Sequence, residues 1–370
     1  MSIARILPLQ QDRLPLYGSA ASRAIEAAAL AGRPVDELME RAGLAIARLA
    51  LALQPREGPI WVACGPGHNG GDGRIATRRL QAHGRQVHIG LGPPPEAPAL
   101  AIDALLGLGL NRPPDEAMAA AIAALNACEA PVLAVDLPSG LLVDTGRPAG
   151  VEAVRAAHTL SLLTLKPGLF LGREHCGRIW FDDLGITAGR EPDAWLLGAD
   201  CASAWRAPSS HAAHKGTQGD VLVVGGAPGM RGAARLAARA ALAAGAGRVY
   251  LHLLDAGADE PDPQRPELLT ANTGTPAGRT VVAGCGGASA ITQDLTPLLQ
   301  EAARLVLDAD ALNALAADTT LRQALRQRGA PTILTPHPLE AARLLGSSTA
   351  AVQGDRLAAA QALADELRCT

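Results

Sequence analysis

The chain has 370 residues, 48% hydrophobic and 19% charged, with Lys+Arg 33 against Asp+Glu 36 and a formal net charge of -3. At about 100 to 200 residues per domain, that length predicts two globular domains. Near-neutral charge with no block of like charges removes the electrostatic footprint of non-specific nucleic-acid or anionic-membrane binding, and 40 Gly and 27 Pro without a collagen period describe a many-turned α/β protein.

The first 18 residues hold no sustained apolar stretch, and the longest apolar run, Ala42 to Leu53, is too short for a bilayer and contains Arg48. Residues 34–53 place apolar side chains at helical spacing after a proline, which predicts an amphipathic helix. A buried strand follows over 59–65 (PIWVACG), then a loop, GPGHNGGDG, and a helix over 75–83. Further strands are expected at 86–91, 100–104, 131–137, 158–163 and 178–181. Short apolar strands alternating with Ala-rich helices predict a mostly parallel sheet covered on both faces.

From 182 to 210 the pattern breaks into Gly, Pro, Ser and charge, the best domain boundary. A second series then begins with strand 221–224, glycine loop GGAPGMRG, helix 233–244 and strand 248–253. Strands near 280–283, 305–307 and 332–334 and a helix over 354–368 complete it. The six cysteines, Cys64, Cys128, Cys176, Cys201, Cys285 and Cys369, form no CxxC and have no His at ligand spacing, a reduced pattern without a zinc site. The expectation is a soluble, cytoplasmic protein with no nucleic-acid or membrane partner.

The stretch most suggestive of chemistry is Cys64 to Gly73, with five glycines in ten residues between strand and helix. Glycine there permits a sharp turn and close approach of a ligand, and a helix N-terminus offers free N–H groups to phosphate oxygens. The other reading is a tight turn needing only positive φ, although Asn69 and Asp72 add polar groups that such a turn does not require. The spacing is neither the Rossmann GxGxxG nor a Walker A loop.

Asp103 and Asp136 each close an apolar strand, where parallel sheets place their ligand crevice; helix capping is the competing role. The oxygen-only set Asn69, Asp103 and Ser139 would suit a hard, weakly hydrated cation rather than zinc. In the second half, His337 between Pro336 and Pro338 is better placed for a ligand than for a core, and His214-Lys215-Gly216 supplies an anion contact or a solvated loop.

Taken in order, GPGHNGGDG, DALLGLGL, VDLPSGLLVDTG and LKPGL resemble the NAD(P)H-hydrate epimerase family. HKGTQGDVLVVGG, RGAARLAARAALAAGAG, RPELL, LDADALN and TPHPLEAARLLG resemble its usual fusion partner, the ADP- or ATP-dependent NAD(P)H-hydrate dehydratase. The implied fold is α/β: a Rossmann-like three-layer αβα epimerase domain over 1–195, a linker over 196–210, and a partial ribokinase-like α/β domain over 211–370. The implied activity is repair of NADH or NADPH hydrated on the nicotinamide ring, NADHX or NADPHX. The first domain interconverts the C6 epimers, and the second dehydrates the S form with ADP or ATP and Mg2+. The family commonly forms homo-oligomers.

Carried over, the resemblance assigns potassium to Asn69, Asp103 and Ser139. It assigns substrate to His68, Asn69, Gly70, Gly71 and Asp72, to Gly107, Leu108, Gly109, Leu110, Asn111, Arg112 and Pro113, and to Asp136. Asp136 is the candidate acid/base, with Lys166 second. In the second domain Ala233, Gly286 and His337 would contact hydrated NADPH, with Asp310 near.

Departures accompany the match. His68 replaces the usual Asn, Leu339 the usual Gly, and CGG at Cys285 to Gly287 the usual PGLG. About a dozen residues lead from the strand near Leu91 to Asp103, too few for the helix and strand the family places there, which would move Asp103 or remove a pocket wall. The family's GxGD motif, expected beyond Thr370, is not in the sequence, so dehydratase activity is expected to be lost. The alternatives to an epimerase are a nucleotide-binding or scaffold remnant of the same family, a nicotinamide dehydrogenase and a sugar kinase.

Overall fold

The computed structural model describes residues 3–7, 12–34, 36–94, 96–205, 211–255, 257, 261–271 and 275–370. The chain divides into two units, residues 1–207 and 208–370.

The first unit begins with β1 (Ala4–Arg5), β2 (Leu14–Leu16), α1 (Ser19–Leu30) and α2 (Glu37–Leu53). There follow β3 (Ile60–Cys64), α3 (His68–Ala82), β4 (Val87–Ile89), β5 (Leu100–Ala104), α4 (Glu116–Ala127) and β6 (Val132–Val135). It ends with β7 (His158–Leu162), α5 (Gly168–Leu171), α6 (Arg173–Cys176), β8 (Arg178–Asp182), β9 (Ala194–Leu196) and α7 (Ala199–Trp205).

Its main sheet has the order β1-β8-β7-β6-β5-β3-β4. Every pairing is parallel except β1 with β8. Two-sided burial explains the continuous apolar runs of its central strands. Ile60, Val62, Leu100, Ile102 and Leu133 pack with Ile46, Ala50, Ala76 and Leu80 of α2 and α3 on one face. Trp61, Ala63, Ala101, Val132 and Ala134 meet Met118, Ile122 and Leu125 of α4 on the other. Because β4 and β5 lie on opposite sides of β3, the strand order reverses between β3 and β5, and a crevice opens beyond their carboxyl ends.

Two expectations are corrected. The glycine stretch is mostly helix, since α3 starts at His68 rather than Ile75. None of Gly65, Gly67, Gly70, Gly71 and Gly73 has positive φ. Neighbours press on all of them but Gly67: a Cβ on Gly70 would lie 1.8 Å from the Gly65 carbonyl oxygen, and one on Gly73 2.8 Å from Cys64 Sγ, whereas Gly67 faces open space. The segment after Asp182 is also less irregular than its composition suggests. β9 pairs antiparallel with β2, tying the start of the first unit to its end, and α7 occupies much of the expected linker; residues 206–210 lie outside the described residues.

The second unit contains β10 (Asp220–Gly225), α8 (Arg231–Ala243), β11 (Arg248–Leu253), β12 (Leu269–Thr270), β13 (Thr280–Ala283), a 3-10 turn at Ala288–Ile291 and α9 (Thr292–Glu301). β14 (Arg304–Leu307), α10 (Ala309–Ala317), α11 (Thr319–Gln327), β15 (Thr332–Leu334), α12 (Pro338–Leu345), α13 (Thr349–Gly354) and α14 (Arg356–Leu367) follow. Its sheet, β12-β11-β10-β13-β14-β15, is parallel throughout. The order reverses between β10 and β13, so each unit carries its own switch point. Among the described residues no helix is long and apolar enough to cross a membrane.

Candidate active site

At the β3/β5 switch point of the first unit lies a cleft of 1170 Å³. His68, Asn69 and Asp72 reach it from the first turns of α3, Gly107 to Pro113 from the segment after β5, and Asp136 from the end of β6. These are the residues the sequence singles out. Gly70 and Gly71 are not on its wall: the first abuts Gly65 and the second faces Met39 Sδ, where a Cβ would lie 2.7 Å away. Gly67 caps α3 with no side-chain hydrogen bond, and the first intrahelical bond described, from Gly71 N to Gly67 O, spans 3.0 Å. The N–H groups of the first helical turn are therefore free to face an anion.

Beneath the floor, Asp103 is fully buried. Its Oδ1 accepts from Ser139 Oγ at 2.6 Å and its Oδ2 from Ser139 N at 2.8 Å. Ser139 Oγ accepts from Leu106 N at 2.9 Å. Asn69 Nδ2 donates to Leu106 O at 2.9 Å and Val135 O at 3.3 Å. Asn69, Asp103 and Ser139 thus share one oxygen-rich cluster with the Leu106 and Val135 carbonyls. The short connection between β4 and β5 leaves Asp103 in register in β5, opposite Ala63 of β3. Burial pushes the Asp103 carboxyl up to about 6 against the pull of its Ser139 and Leu105 hydrogen bonds.

Lys166, 1% exposed, forms an ion pair with Asp136 Oδ1 and donates to Leu162 O at 2.8 Å. Asp136 Oδ1 also accepts from Leu162 N at 3.2 Å. Asp136 has φ 67 and Leu163 φ 65, so two non-glycine residues lining the same cleft sit in the left-handed region. Asp tolerates that region better than Leu, and such strain gathers at functional sites. Burial, then the neighbouring Asp136 and Glu26 carboxylates, raise the Asp72 carboxyl well above its ordinary range.

One wall comes from residues the sequence reading leaves aside: Arg23, Glu26 and Leu30 of α1, then Arg33, Asp36, Leu38 and Met39. A signal exists, since Ala21, Ile25 and Ala29 recur every four residues and all are buried. Ser22 Oγ, 2.9 Å from Thr164 Oγ1, fastens this helix beside the β7 end.

In the second unit, a Cβ on Gly286 would lie 3.0 Å from Ala233 Cβ, so these two residues are neighbours across the β10/β13 crevice. Asp310 Oδ2 accepts from Ala288 N at 2.8 Å, bracing the same loop. His337, expected as a ligand contact, caps a helix in this structure and keeps a mostly exposed side chain. Its Nδ1 accepts from Leu339 N at 3.2 Å and Glu340 N at 3.4 Å while Glu340 Oε2 accepts from His337 N at 2.9 Å, a capping box on α12.

Family models match both units. Residues 35–99 and 91–168 match the YjeF-related protein N-terminus, and residues 221–370 match NAD(P)H-hydrate dehydratase. The chain is 35% identical to the bifunctional NAD(P)H-hydrate repair enzyme Nnr of Escherichia coli K12, across 91% of this chain and 72% of that protein. It belongs to the family of bifunctional NAD(P)H-hydrate repair enzymes. The family's enzyme in Gloeobacter violaceus is 37% identical, across 89% of this chain and 75% of that one. The structure of an ADP/ATP-dependent NAD(P)H-hydrate dehydratase from Bacillus subtilis, co-crystallized with ATP/Mg2+, is 27% identical with a TM-score of 0.36, covering 43% of this chain and 59% of that chain. The expectation of a lost dehydratase finds no support in these matches, which place a repair-enzyme dehydratase segment over residues 221–370.

Proposed function

We propose that the first unit epimerises C6 of hydrated NADH and NADPH. The observation that carries this reading is the single cleft joining an uncapped helix N-terminus to the Asp136–Lys166 pair. The free N–H groups at the start of α3 take phosphate oxygens. Leu38, Met39, Leu162, Leu163 and Leu184 give the nicotinamide end an apolar wall. Inversion requires the hydroxyl to leave C6 toward a cation stabilised by the ring nitrogen and to return on the other face. Asp136, already held by an ammonium, acts there as fixed negative charge beside the developing cation, while Lys166 positions it. We assign Asp136 this electrostatic role in place of the acid/base role expected for it, because its Oδ1 is already taken up by Lys166 Nζ and Leu162 N.

The oxygen-only donor set and a fully buried Asp103 with no cationic partner among the described residues fit a potassium ion. When bound, potassium supplies a fixed positive charge that neutralises Asp103. Asn69, Asp103, Ser139 and the carbonyls of Leu106 and Val135 would hold it.

For the second unit the reading is a site for the S form together with ADP or ATP and Mg2+ at the β10/β13 crevice, near Ala233, Gly286 and Asp310. The cytoplasm, where these cofactors are made and used, is the compartment this reading fits.

A chromatographic time course of purified S- and R-NADHX in potassium buffer tests both halves, with Asp136→Ala as control and ADP or ATP in a parallel tube. Equilibration abolished by Asp136→Ala supports the first reading, and NADH appearing only with nucleotide supports dehydration. A spontaneous rate in the first tube sinks the epimerase and leaves a nucleotide-binding remnant.

A further inference from the structure

We propose that Asp72 is the general acid of epimerisation, passing its carboxyl proton to the departing C6 hydroxyl and recovering one when water returns. The proposal rests on the epimerase reading above and adds a residue role to it.

Loss of hydroxide from C6 next to N1 needs a proton on the leaving oxygen, and the cleft offers few donors. Asp136 is engaged by Lys166 and Leu162 N. Asp103 lies wholly buried beneath the floor, bonded to Ser139 and off the wall that the substrate would meet. Glu26 pairs with His68 Nδ1 at 3.7 Å, near the exposed end of the cleft, where His68 is 82% exposed. Asp72 stands one helical turn beyond His68 on the same face of α3 and lines the cleft.

Among the described residues the surroundings acting on Asp72 are burial and two like charges, Asp136 and Glu26, with no compensating cation. Burial and the two carboxylates favour the protonated carboxyl. The other charges lining the cleft are Arg23, whose Nη2 donates to Leu108 O at 2.8 Å, Arg33, whose guanidinium bonds to Ala29 O, Asp115, which caps α4, and the exposed Asp36 and Arg112. Within one cleft, an ion-paired carboxylate thus stands beside one whose surroundings favour keeping its proton, the arrangement that lets two carboxyls take different roles.

The step balances. The C6–O bond breaks with its electron pair on oxygen, which takes the Asp72 proton and departs as water. The N1 lone pair closes the C6=N1 bond, and the resulting cation faces the Asp136 carboxylate. Water then adds to the opposite face of C6, the N1 lone pair is restored, and the released proton returns to the Asp72 carboxylate through solvent in the cleft. Nothing is oxidised and no group is consumed.

The test measures epimerisation of R- and S-NADHX by the full chain without ADP or ATP, for the wild type, Asp72→Asn and Asp72→Glu. It also measures NADHX affinity by calorimetry and rate from pH 5 to 9. The expected result is a kcat about 10²- to 10⁴-fold lower for Asp72→Asn at nearly unchanged affinity, with part of the rate restored by Asp72→Glu. Wild-type kcat should fall as pH rises through one ionisation above the ordinary carboxylate range, and Asp72→Asn should lose that limb. An Asp72→Asn rate within about threefold of wild type, or a loss confined to affinity, overturns the role. If Asp72→Asn does not fold, the wild-type profile decides, and a flat one overturns the role. A wild type that fails to equilibrate the epimers sinks the epimerase reading itself, a separate outcome.

Discussion

The Lys166 ammonium grips Asp136 from below the cleft, accepted at the same time by the Leu162 carbonyl at 2.8 Å and lying 3.3 Å from Ser161 Oγ. A lysine only 1% exposed is tolerated because each of its hydrogens has a partner. Removing it strands a carboxylate that is itself nearly buried. Lys166→Met should cost about 3 to 5 kcal/mol in urea denaturation, and the double variant Asp136→Leu/Lys166→Met should recover much of that loss. Neither should epimerise NADHX. A single variant as stable as wild type would mean that the pair is not formed.

Gly70 tests whether the glycine stretch serves packing or flexibility. A methyl there would overlap the Gly65 carbonyl at 1.8 Å, forcing α3 off the β3 end, whereas Gly109 opens to space. Gly70→Ala should destabilise by about 1 to 3 kcal/mol or more, and Gly109→Ala should change the melting temperature little. Equal effects at both positions would return the stretch to the flexible-loop reading.

That stretch also shows where the sequence was legible. Strands β5, β11, β13 and β15 fall where apolar runs predict them; β5 is buried on both faces and leaves a run that needs no context, while β11, β13 and the edge strand β15 are only partly buried. The start of α3 does not, since glycine weakens helix propensity and only the contacts with Gly65 and Ala104 explain its presence within a helix. Asn69, Asp103, Ser139 and Asp136 were readable as polar residues at strand and helix ends. The Asp136–Lys166 pairing was not, because 30 residues separate the partners and only the fold brings them together. The cap role of His337 was not legible either: a histidine between prolines suggests a ligand contact, and only the fold shows its ring accepting from the backbone of α12.

Potassium binding predicts a cation dependence that salt screening does not imitate. Replacing potassium by tetramethylammonium at equal ionic strength removes a cation that fits among oxygens while keeping the screening. Wild type should lose melting temperature and epimerase rate in that exchange. Asp103→Asn should show neither dependence, since its neutral amide calls for no buried charge. A wild type indifferent to the exchange would leave the Asp103–Ser139 cluster as a structural hydrogen-bond network.

Asp72 makes stability depend on pH in a defined direction. Its carboxyl is raised above the ordinary 3.8, first by burial, then by Asp136 and Glu26. Between 3.8 and the raised value the folded chain holds more protons than the unfolded one. Stability therefore falls as pH rises through that window, and the contribution present in acid is absent above it. Asp72→Asn removes this pH dependence, so it should be more stable than wild type at neutral pH and converge with it below 3.8. Denaturant midpoints across pH check the sign. A variant less stable than wild type at neutral pH would show that Asp72 is charged and paired in the folded protein.

His337 separates a helix cap from a ligand contact. Its Nδ1 accepts two backbone N–H groups at the start of α12, and its Nε2 lies 3.0 Å from Glu340 Oε1, so both ring nitrogens are occupied within the helix turn. His337→Ala should cost about 0.5 to 2 kcal/mol, while His337→Asn, a strong capping residue, should stay within a few tenths of a kcal/mol of wild type. Binding of S-NADPHX to the second unit should then follow the cap: retained by His337→Asn and weakened by His337→Ala only as far as α12 frays. Loss of binding in the stable His337→Asn variant would show that His337 contacts the ligand itself.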